Sequence, residues 1–364
     1  MRLYVLPCDG IGPEIARATI AVLEAAKERF ALPLTFDYDD VGFASLDKYG
    51  TTLREEVFRK AKTYDGIILG PQSHMDYPPP AKGGRNISAA FRVGLDLYAN
   101  VRPCRSRPFL DRGVKNMDLV IMREATEGFY SDRNMFAGSG EFMPTPDVAL
   151  SLRKITAHAS ERIARRAFEL AAKRRKRVTA VHKANNFPLT DGLFLKQVRT
   201  VAAEFPAIAL DEVLVDAMAA YLVRDASRFD VIVATNFYAD ILSDLASELS
   251  GGLGLAGAIN AGDDLCCAQA QHGSAPDIQG RNIANPTSFI LSAAMLLRWF
   301  GEKRNAPVYT AAATAMEAAI DTVLADPAQR TRDLGGSLDT DAFGRCVARA
   351  IGRVVVEQKP SQNY

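Results

Sequence analysis

The sequence predicts an α/β protein of two lobes whose chain segments interleave. Three observations lead there. Apolar, strand-like runs alternate with helical patterns along the chain, which is the signature of α/β architecture. A chain of 364 residues is long enough for more than one lobe and a sizeable core. No flexible linker, low-complexity tract or internal repeat divides it, so the lobes are not expected to follow one another as separate beads.

The elements follow in order. The first strand is "RLYVLP". Gly10, Gly12 and Pro13 then turn the chain into a helical pattern over 13–29. A strand, a Gly-rich turn and a helix also open a dinucleotide-binding Rossmann unit, but that fingerprint needs a third glycine where Ile15 stands. Pro13 suits the first turn of a helix. The turn is real, and a Rossmann fold is excluded. Further strands are "GIILG" at 66–70, "DLVIMRE" at 118–124, "RVTAVHK" at 177–183 and "DVIVATN" at 230–236. The segment 126–146, rich in Gly, Pro and aromatics, breaks the rhythm and reads as an arm or a small antiparallel element. The helical "SERIARRAFELAA" ends in the basic run "KRRKR" at 173–177, and cations are favourable at a helix C-terminus. "FILSAAMLLRWF" at 289–300 contains Arg298 and is too short to span a bilayer, so it reads as a buried helix opening near Pro286.

Charge narrows the function classes. With 44 basic and 43 acidic residues, nothing points to nucleic acid or a membrane as partner. Cys8, Cys104, Cys266, Cys267 and Cys346 show neither a disulfide framework nor zinc spacing, which fits reduced thiols in a cytoplasm. No basic region followed by an apolar run marks a signal peptide.

Four segments could carry chemistry. In "TNFYADILSDLASELSGGLG", Asp240 and Asp244 lie four apart and share one helix face. Two such carboxylates suit a hard divalent cation, Mg²⁺ or Mn²⁺; acidic residues near a helix start also suit its dipole without any metal. Asp216 is a third acid, in the otherwise apolar "VLVDAMAAYL", where a carboxylate is costly unless paired or metal-bound. Arg92, Arg102 and Arg123 lie near strand ends or helix–strand junctions. Each alone reads as a solvated side chain, but together they suggest a polycarboxylate site, since Arg binds carboxylates in bidentate fashion. Lys183 ends an apolar strand and is either a desolvated base or the partner of an aspartate at the sheet edge. Finally, "AQHGSAPDIQGRNIANPTS" is a turn-rich stretch that could hold a nucleotide.

Together these segments resemble the metal-dependent β-decarboxylating dehydrogenases, the family of isocitrate, 3-isopropylmalate, homoisocitrate and tartrate/malate dehydrogenases. The resemblance runs nearly end to end through "DGIGPE", "DLYANVRP", "RE-TEG-Y", "HKAN", "VDAMA", "DILSDLASEL-GGLG", "HGSAPDI-G", "IANPTS" and "DLGG". Nine such motifs in the family's order are far more specific than any one of them.

The resemblance implies that family's two-lobed fold with a mixed central sheet. Residues 1–100 with 251–364 would form the larger lobe with the NAD site. Residues 101–250 would form the smaller lobe, with a dimer arm over about 126–160. It implies an oxidative decarboxylation of a 3-substituted malate, a hydroxy-diacid or triacid, with NAD and Mg²⁺ or Mn²⁺. Arg92, Arg102 and Arg123 would hold the malate carboxylates. Asp240 and Asp244, with Asp216 of the partner subunit, would hold the metal. Lys183 of the partner subunit would be the base at the C2 hydroxyl, and Tyr130 the acid. A homodimer with shared active sites follows. The 8–15 turn, with Ile11, would lie near the nicotinamide, although Cys8 stands where the family usually has glycine. His272, Gly273, Ala275, Asp277, Ile278 and Asn285 would hold the rest of the nucleotide. Relatives that use NADP carry Lys-Tyr where Asp277 and Ile278 stand here. An aspartate accepts from the ribose 2′-hydroxyl and repels a 2′-phosphate, so NAD is expected. The 3-substituent would meet Asn86 and Ser88, a polar pair that leans towards a carboxylate or hydroxyl tail. Isocitrate and 3-isopropylmalate are the leading substrate types, with homoisocitrate and D-malate or tartrate as alternatives. A non-catalytic regulatory subunit is the alternative of another class; the complete set of catalytic residue types argues against it.

Overall fold

The computed structural model describes residues 1–114, 116–130, 135, 138 and 140–354. The chain divides into two compact units. Met1–Phe91 and residues 253–354 form one, and Arg92–Gly252 forms the other.

The chain opens with β1 (Arg2–Leu6), α1 (Gly12–Phe30), β2 (Thr35–Tyr38), α2 (Phe43–Tyr49), α3 (Glu55–Ala61) and β3 (Gly66–Leu69). β1 pairs in parallel with β2 on one side and β3 on the other. Both β1 and β3 are buried, and strands covered on both faces read as continuous apolar runs. α4 (Ile87–Gly94) follows and carries the chain across the boundary between the units.

The second unit contains β4 (Ala99–Arg105), β5 (Asp118–Glu124), β6 (Glu141–Thr145), β7 (Val148–Ser151), α5 (Ala157–Ala172), β8 (Arg177–His182), α6 (Thr190–Ala202), β9 (Ala209–Leu214), α7 (Val215–Asp225), β10 (Val231–Ala234) and α8 (Asn236–Leu249). Its strands run in the order β4, β5, β10, β8, β9, with β4 antiparallel and the rest parallel. β6 and β7 form a separate antiparallel hairpin on which every residue is exposed, Phe142, Met143, Val148 and Leu150 included. The irregular segment expected over 126–146 thus contains one strand of this hairpin. Its residues 131–134, 136, 137 and 139 lie outside the described residues.

The chain then returns to the first unit with β11 (Ile259–Ala261), β12 (Cys266–Gln269), α9 (Thr287–Lys303), α10 (Pro307–Ala325) and α11 (Thr340–Ile351). β12 pairs in parallel with β3 and antiparallel with β11, which makes the sheet mixed. α1 packs against α9, α10 and α11. α9 is buried along most of its length. None of the described helices is long and apolar enough to cross a membrane. None of the five cysteines forms a disulfide; four are buried and Cys346 is half-buried.

Candidate active site

The second unit gathers the arginines and two of the aspartates. In the antiparallel β4–β5 pair, Asn100 lies opposite Arg123. Arg102 is two residues along from Asn100, so Arg102 and Arg123 lie on one sheet face as diagonal neighbours. α8 packs against these strands through Ala239, Leu242 and Ala246, a buried stripe at helical spacing. That packing leaves Asp240 and Asp244 to meet the arginines.

Arg102 donates from Nε to Asn100 Oδ1 (2.7 Å) and from Nη1 to Ser243 Oγ (2.6 Å) and Asp244 Oδ1 (3.0 Å); its Nη2 lies 3.5 Å from Asp240 Oδ1. Arg123 donates from Nε to Asn236 Oδ1 (2.8 Å) and from Nη1 to Asp240 Oδ1. Tyr130 donates its hydroxyl to Asp240 Oδ2 (3.3 Å). Arg92, in the last turn of α4, adds a third positive charge felt by both Arg123 and Asp240.

The electrostatics separate the two aspartates. Burial works to raise the Asp240 carboxyl, but Arg123, Arg102 and Arg92 together outweigh it and hold it below the usual range. Asp244 shifts the other way, raised by burial first, with the like charge of Asp240 adding to it and Arg102 opposing. Burial and the neighbouring arginines both push the Arg123 guanidinium downward. Two buried arginines and the half-buried Arg92 face two aspartates, and the positive charge left over suits a carboxylate ligand.

Lys183 and Asp216 form a separate pair. Lys183, at the end of β8, donates from Nζ to Asp216 Oδ1 in the first turn of α7 (2.7 Å). That hydrogen bond holds the exposed Asp216 carboxyl below its usual range. The pairing of Lys183 with an aspartate, one of the two readings its position allowed, is therefore present in the single chain. Among the described residues no group of three or more His, Cys, Asp or Glu is arranged to hold a metal ion. One chain brings Asp240 and Asp244 together and keeps Asp216 with Lys183. The hard oxygen donors of all three still fit Mg²⁺ or Mn²⁺ in type.

In the first unit, the N-terminal turn meets the "HGSAPDI" loop. Gly10 has φ +56°, and a Cβ there would lie 1.9 Å from the Ser274 carbonyl oxygen. Only glycine permits that approach. Ile11 N–H donates to the same carbonyl (2.9 Å), which brings Ile11 beside the 272–278 loop. Cys8 adopts φ +63°, a left-handed conformation held at some steric cost by an L-residue. Asp9, buried beside it, accepts from Phe43 N–H (2.8 Å) and Ser73 N–H (3.0 Å) and fixes the turn.

Burial holds the His272 imidazole below its usual range. Its Nδ1 lies 3.0 Å from the Gly273 carbonyl, so Nδ1 carries the proton, and Nε2 is a buried acceptor with no partner among the described residues. An orphaned acceptor beside a helix-start loop fits a nucleotide's base N–H. Ala275 is also left-handed, Asp277 is exposed, and Gly273 and Ile278 complete the loop. Asn285 donates to Asp333 (3.0 Å), which ties "IANPTS" to "DLGG".

Asn86 and Ser88, the pair expected to meet the 3-substituent, lie at the start of α4. Asn86 Oδ1 accepts from Ala89 N–H (2.9 Å), a capping bond that commits its oxygen to the helix. Ser88 donates its backbone N–H to Gln72 Oε1 (3.1 Å) and its hydroxyl to Gln269 Oε1 (3.0 Å). Asn260 donates to the same Gln269 oxygen (3.2 Å). Gln72, Gln269, Asn236 and Ser243 escaped the sequence reading. Of these only Asn236, a polar residue at a helix start after an apolar strand, carried a signal.

The chain is similar to known proteins over nearly its whole length. The family model for isocitrate/isopropylmalate dehydrogenase matches residues 2–347. An isocitrate/homoisocitrate dehydrogenase of Thermus thermophilus is 42% identical over 351 residues, covering 96% of this chain and 98% of the relative. A 3-isopropylmalate dehydrogenase of Archaeoglobus fulgidus is 39% identical over 351 residues, covering 96% and 99%. The crystal structure of isocitrate dehydrogenase from Methylococcus capsulatus superposes with a TM-score of 0.85 at 36% identity, covering 96% of this chain and 99% of that one. With that agreement in sequence and fold across nearly the whole chain, the protein belongs to the isocitrate/isopropylmalate dehydrogenase family of oxidatively decarboxylating dehydrogenases.

Proposed function

We propose that the protein carries out NAD-linked, divalent-cation-dependent oxidative decarboxylation of a 3-substituted malate. The product is a 2-oxo acid with release of CO₂, and two copies of the chain complete each site. The observation that carries this is the cluster in which the buried Arg102 and Arg123 meet the half-buried Asp240 and the exposed Asp244, with Tyr130 on Asp240.

Arg92, Arg102 and Arg123 bind the substrate carboxylates and orient C2. Asp240 and Asp244, with Asp216 of the partner subunit, would hold Mg²⁺ or Mn²⁺, which when bound supplies Lewis acidity at the C2 oxygen and offsets charge that develops as the carboxylate leaves. Ile11 and the His272–Ile278 loop, with Asn285, would hold NAD, which accepts the hydride. Lys183 of the partner subunit takes the proton of the C2 hydroxyl. Tyr130 returns a proton to carbon after CO₂ has gone. The lone exposed hairpin β6–β7 supports a second copy, since an isolated two-stranded hairpin is marginal in water and this one presents apolar side chains. The polar surroundings of Ser88 favour a substituent with its own carboxylate or hydroxyl, because a polar pocket rejects an apolar tail strongly.

The test is NADH formation with Mn²⁺ against isocitrate, homoisocitrate, 3-isopropylmalate, D-malate and tartrate. Turnover of a polar-tailed acid is the expected result. Preference for 3-isopropylmalate would overturn the pocket reading alone. Folded protein silent on all five would overturn the activity.

A further inference from the structure

The geometry points to Arg153 and Asp191 as a positioning pair that holds the Lys183 turn, the start of α8 and the Tyr130 turn in one arrangement. Asp191 is fully buried and Arg153 is 6% exposed, and their side chains meet at 2.5 Å (Nη1 to Oδ1). Replacing such a pair by apolar residues of similar size often leaves a protein as stable or more so. Stability alone therefore does not account for it, and its directional ties do.

Each end of the pair reaches a different segment. Asp191 Oδ2 accepts from the Lys183 backbone N–H at 2.5 Å. The turn between them is closed by Phe187 N–H to the Lys183 carbonyl (2.9 Å) and Asp191 N–H to the Phe187 carbonyl (3.0 Å). Arg153 Nη2 donates to Thr235 Oγ1 (2.9 Å), the residue that immediately precedes α8. The Thr235 side chain makes no capping bond to its own helix, so its hydroxyl serves Arg153 instead. Arg153 Nη1 also donates to Thr190 Oγ1 at the start of α6 (3.3 Å). The guanidinium lies over the rings of Tyr238 (4.7 Å) in α8 and of Phe129 and Phe187 (5.6 Å each). Phe129 is the neighbour of Tyr130. One ion pair thus meets the segments that carry Lys183, Tyr130 and the metal-site aspartates. Arg153 itself lies two residues beyond the exposed hairpin strand β7, so the hairpin's base is tied to the same point.

The inference rests on the reading of Lys183 as the base. With the substrate that turns over, kcat, KM and thermal midpoint are measured for Asp191→Asn, for Arg153→Met combined with Asp191→Leu, and for Lys183→Met as reference. Asp191→Asn is expected to lower kcat about ten- to a hundredfold with KM for the hydroxy acid nearly unchanged, because misplacing a reacting group acts on the chemical step. The double variant leaves no unpaired buried charge, so it supplies a folded comparison even if the single one fails to fold. It is expected to show the same loss of kcat in protein with the wild-type circular dichroism spectrum. Wild-type kcat in either folded variant overturns the positioning role, and so does a loss confined to KM. Wild-type kcat in Lys183→Met would instead overturn the base reading, and the positioning role with it.

Discussion

On the function proposed above, the exposed Asp277 would read the 2′ position of the nucleotide. A unit negative charge about 4 Å from a 2′-phosphate at an effective dielectric of 20 costs about 4 kcal/mol, or roughly a thousandfold in affinity. Salt screens an exposed group, so that figure is a ceiling. Asp277→Asn is expected to raise the NADP⁺ to NAD⁺ ratio of kcat/KM at least about tenfold at low ionic strength, less at high salt. An unchanged ratio would mean that the 2′ position is read elsewhere. At this scale the charged residues were legible and their partners were not. Arg92, Arg102 and Arg123 were legible as a set near strand ends, and Asp240 by its spacing from Asp244. Asn236, Ser243, Arg153 and Asp191 acquire their roles from contacts between residues far apart in the chain, such as Arg123 with Asn236 or Arg153 with Thr235, and no local pattern records those. Cys8 shows the reverse case. A departure from glycine was visible, and the backbone keeps the left-handed conformation all the same.

Among elements, the turn after β5 has the sharpest pH signature. Glu124 accepts from Thr126 and Glu127 backbone N–H groups, which folds the turn around its carboxylate. Glu127 accepts from the backbone N–H (2.8 Å) and hydroxyl (2.9 Å) of Thr156, the residue that caps α5. Its own carbonyl accepts from Asn236 (2.9 Å), the residue that orients Arg123. Burial, with the like charge of Glu124 adding to it, pushes Glu127 up to about 7 despite the Thr156 bonds. A carboxyl raised in the folded state contributes stability that is complete below its unfolded value near 4.5 and is lost as pH rises through about 7. Glu127→Gln removes that titration. Thermal unfolding from pH 4.5 to 8 should show Glu127→Gln gaining on the wild type across this window and holding a constant offset above it. Parallel curves throughout would contradict the assignment. The legible elements are those buried on both faces. β3, β5, β8 and β10 read as apolar runs because parallel strands covered on both sides have no polar face. β9, with the sequence ALDEVL, lies at the edge of its sheet and is only half-covered, so its mixed pattern gave no signal. β11 and β12 are too short to stand out.

For the whole molecule, the separation of Lys183 and Asp216 from Asp240 and Asp244 becomes a test of assembly. If each site takes its arginines and Asp240 from one chain and Lys183 from another, two inactive variants must complement. Lys183→Met and Arg123→Met protein, each inactive alone, are mixed in equal amounts and allowed to exchange subunits. Half of the dimers are then hybrids, and each hybrid holds one intact site, so about one quarter of wild-type activity should return. No recovery, with hybrids shown by mass, would mean that each chain carries a complete site.

The path of the chain has a further consequence. β3 takes its partner β12 from the far side of the whole Arg92–Gly252 segment, with Ile67 opposite Cys267, and α1 closes on α11 near the chain's end. The segment Arg92–Gly252 is contiguous and holds β4, β5, β10, β8 and β9, which pair with one another in that order. At about 5–20 residues per second, a ribosome spends roughly ten to thirty seconds on that segment before the partner of β3 emerges. The unit begun first is therefore finished last. Through that interval the nascent chain presents the unpaired backbone edge of β3 together with its apolar side chains, and it is then that a holding chaperone has the most to shield.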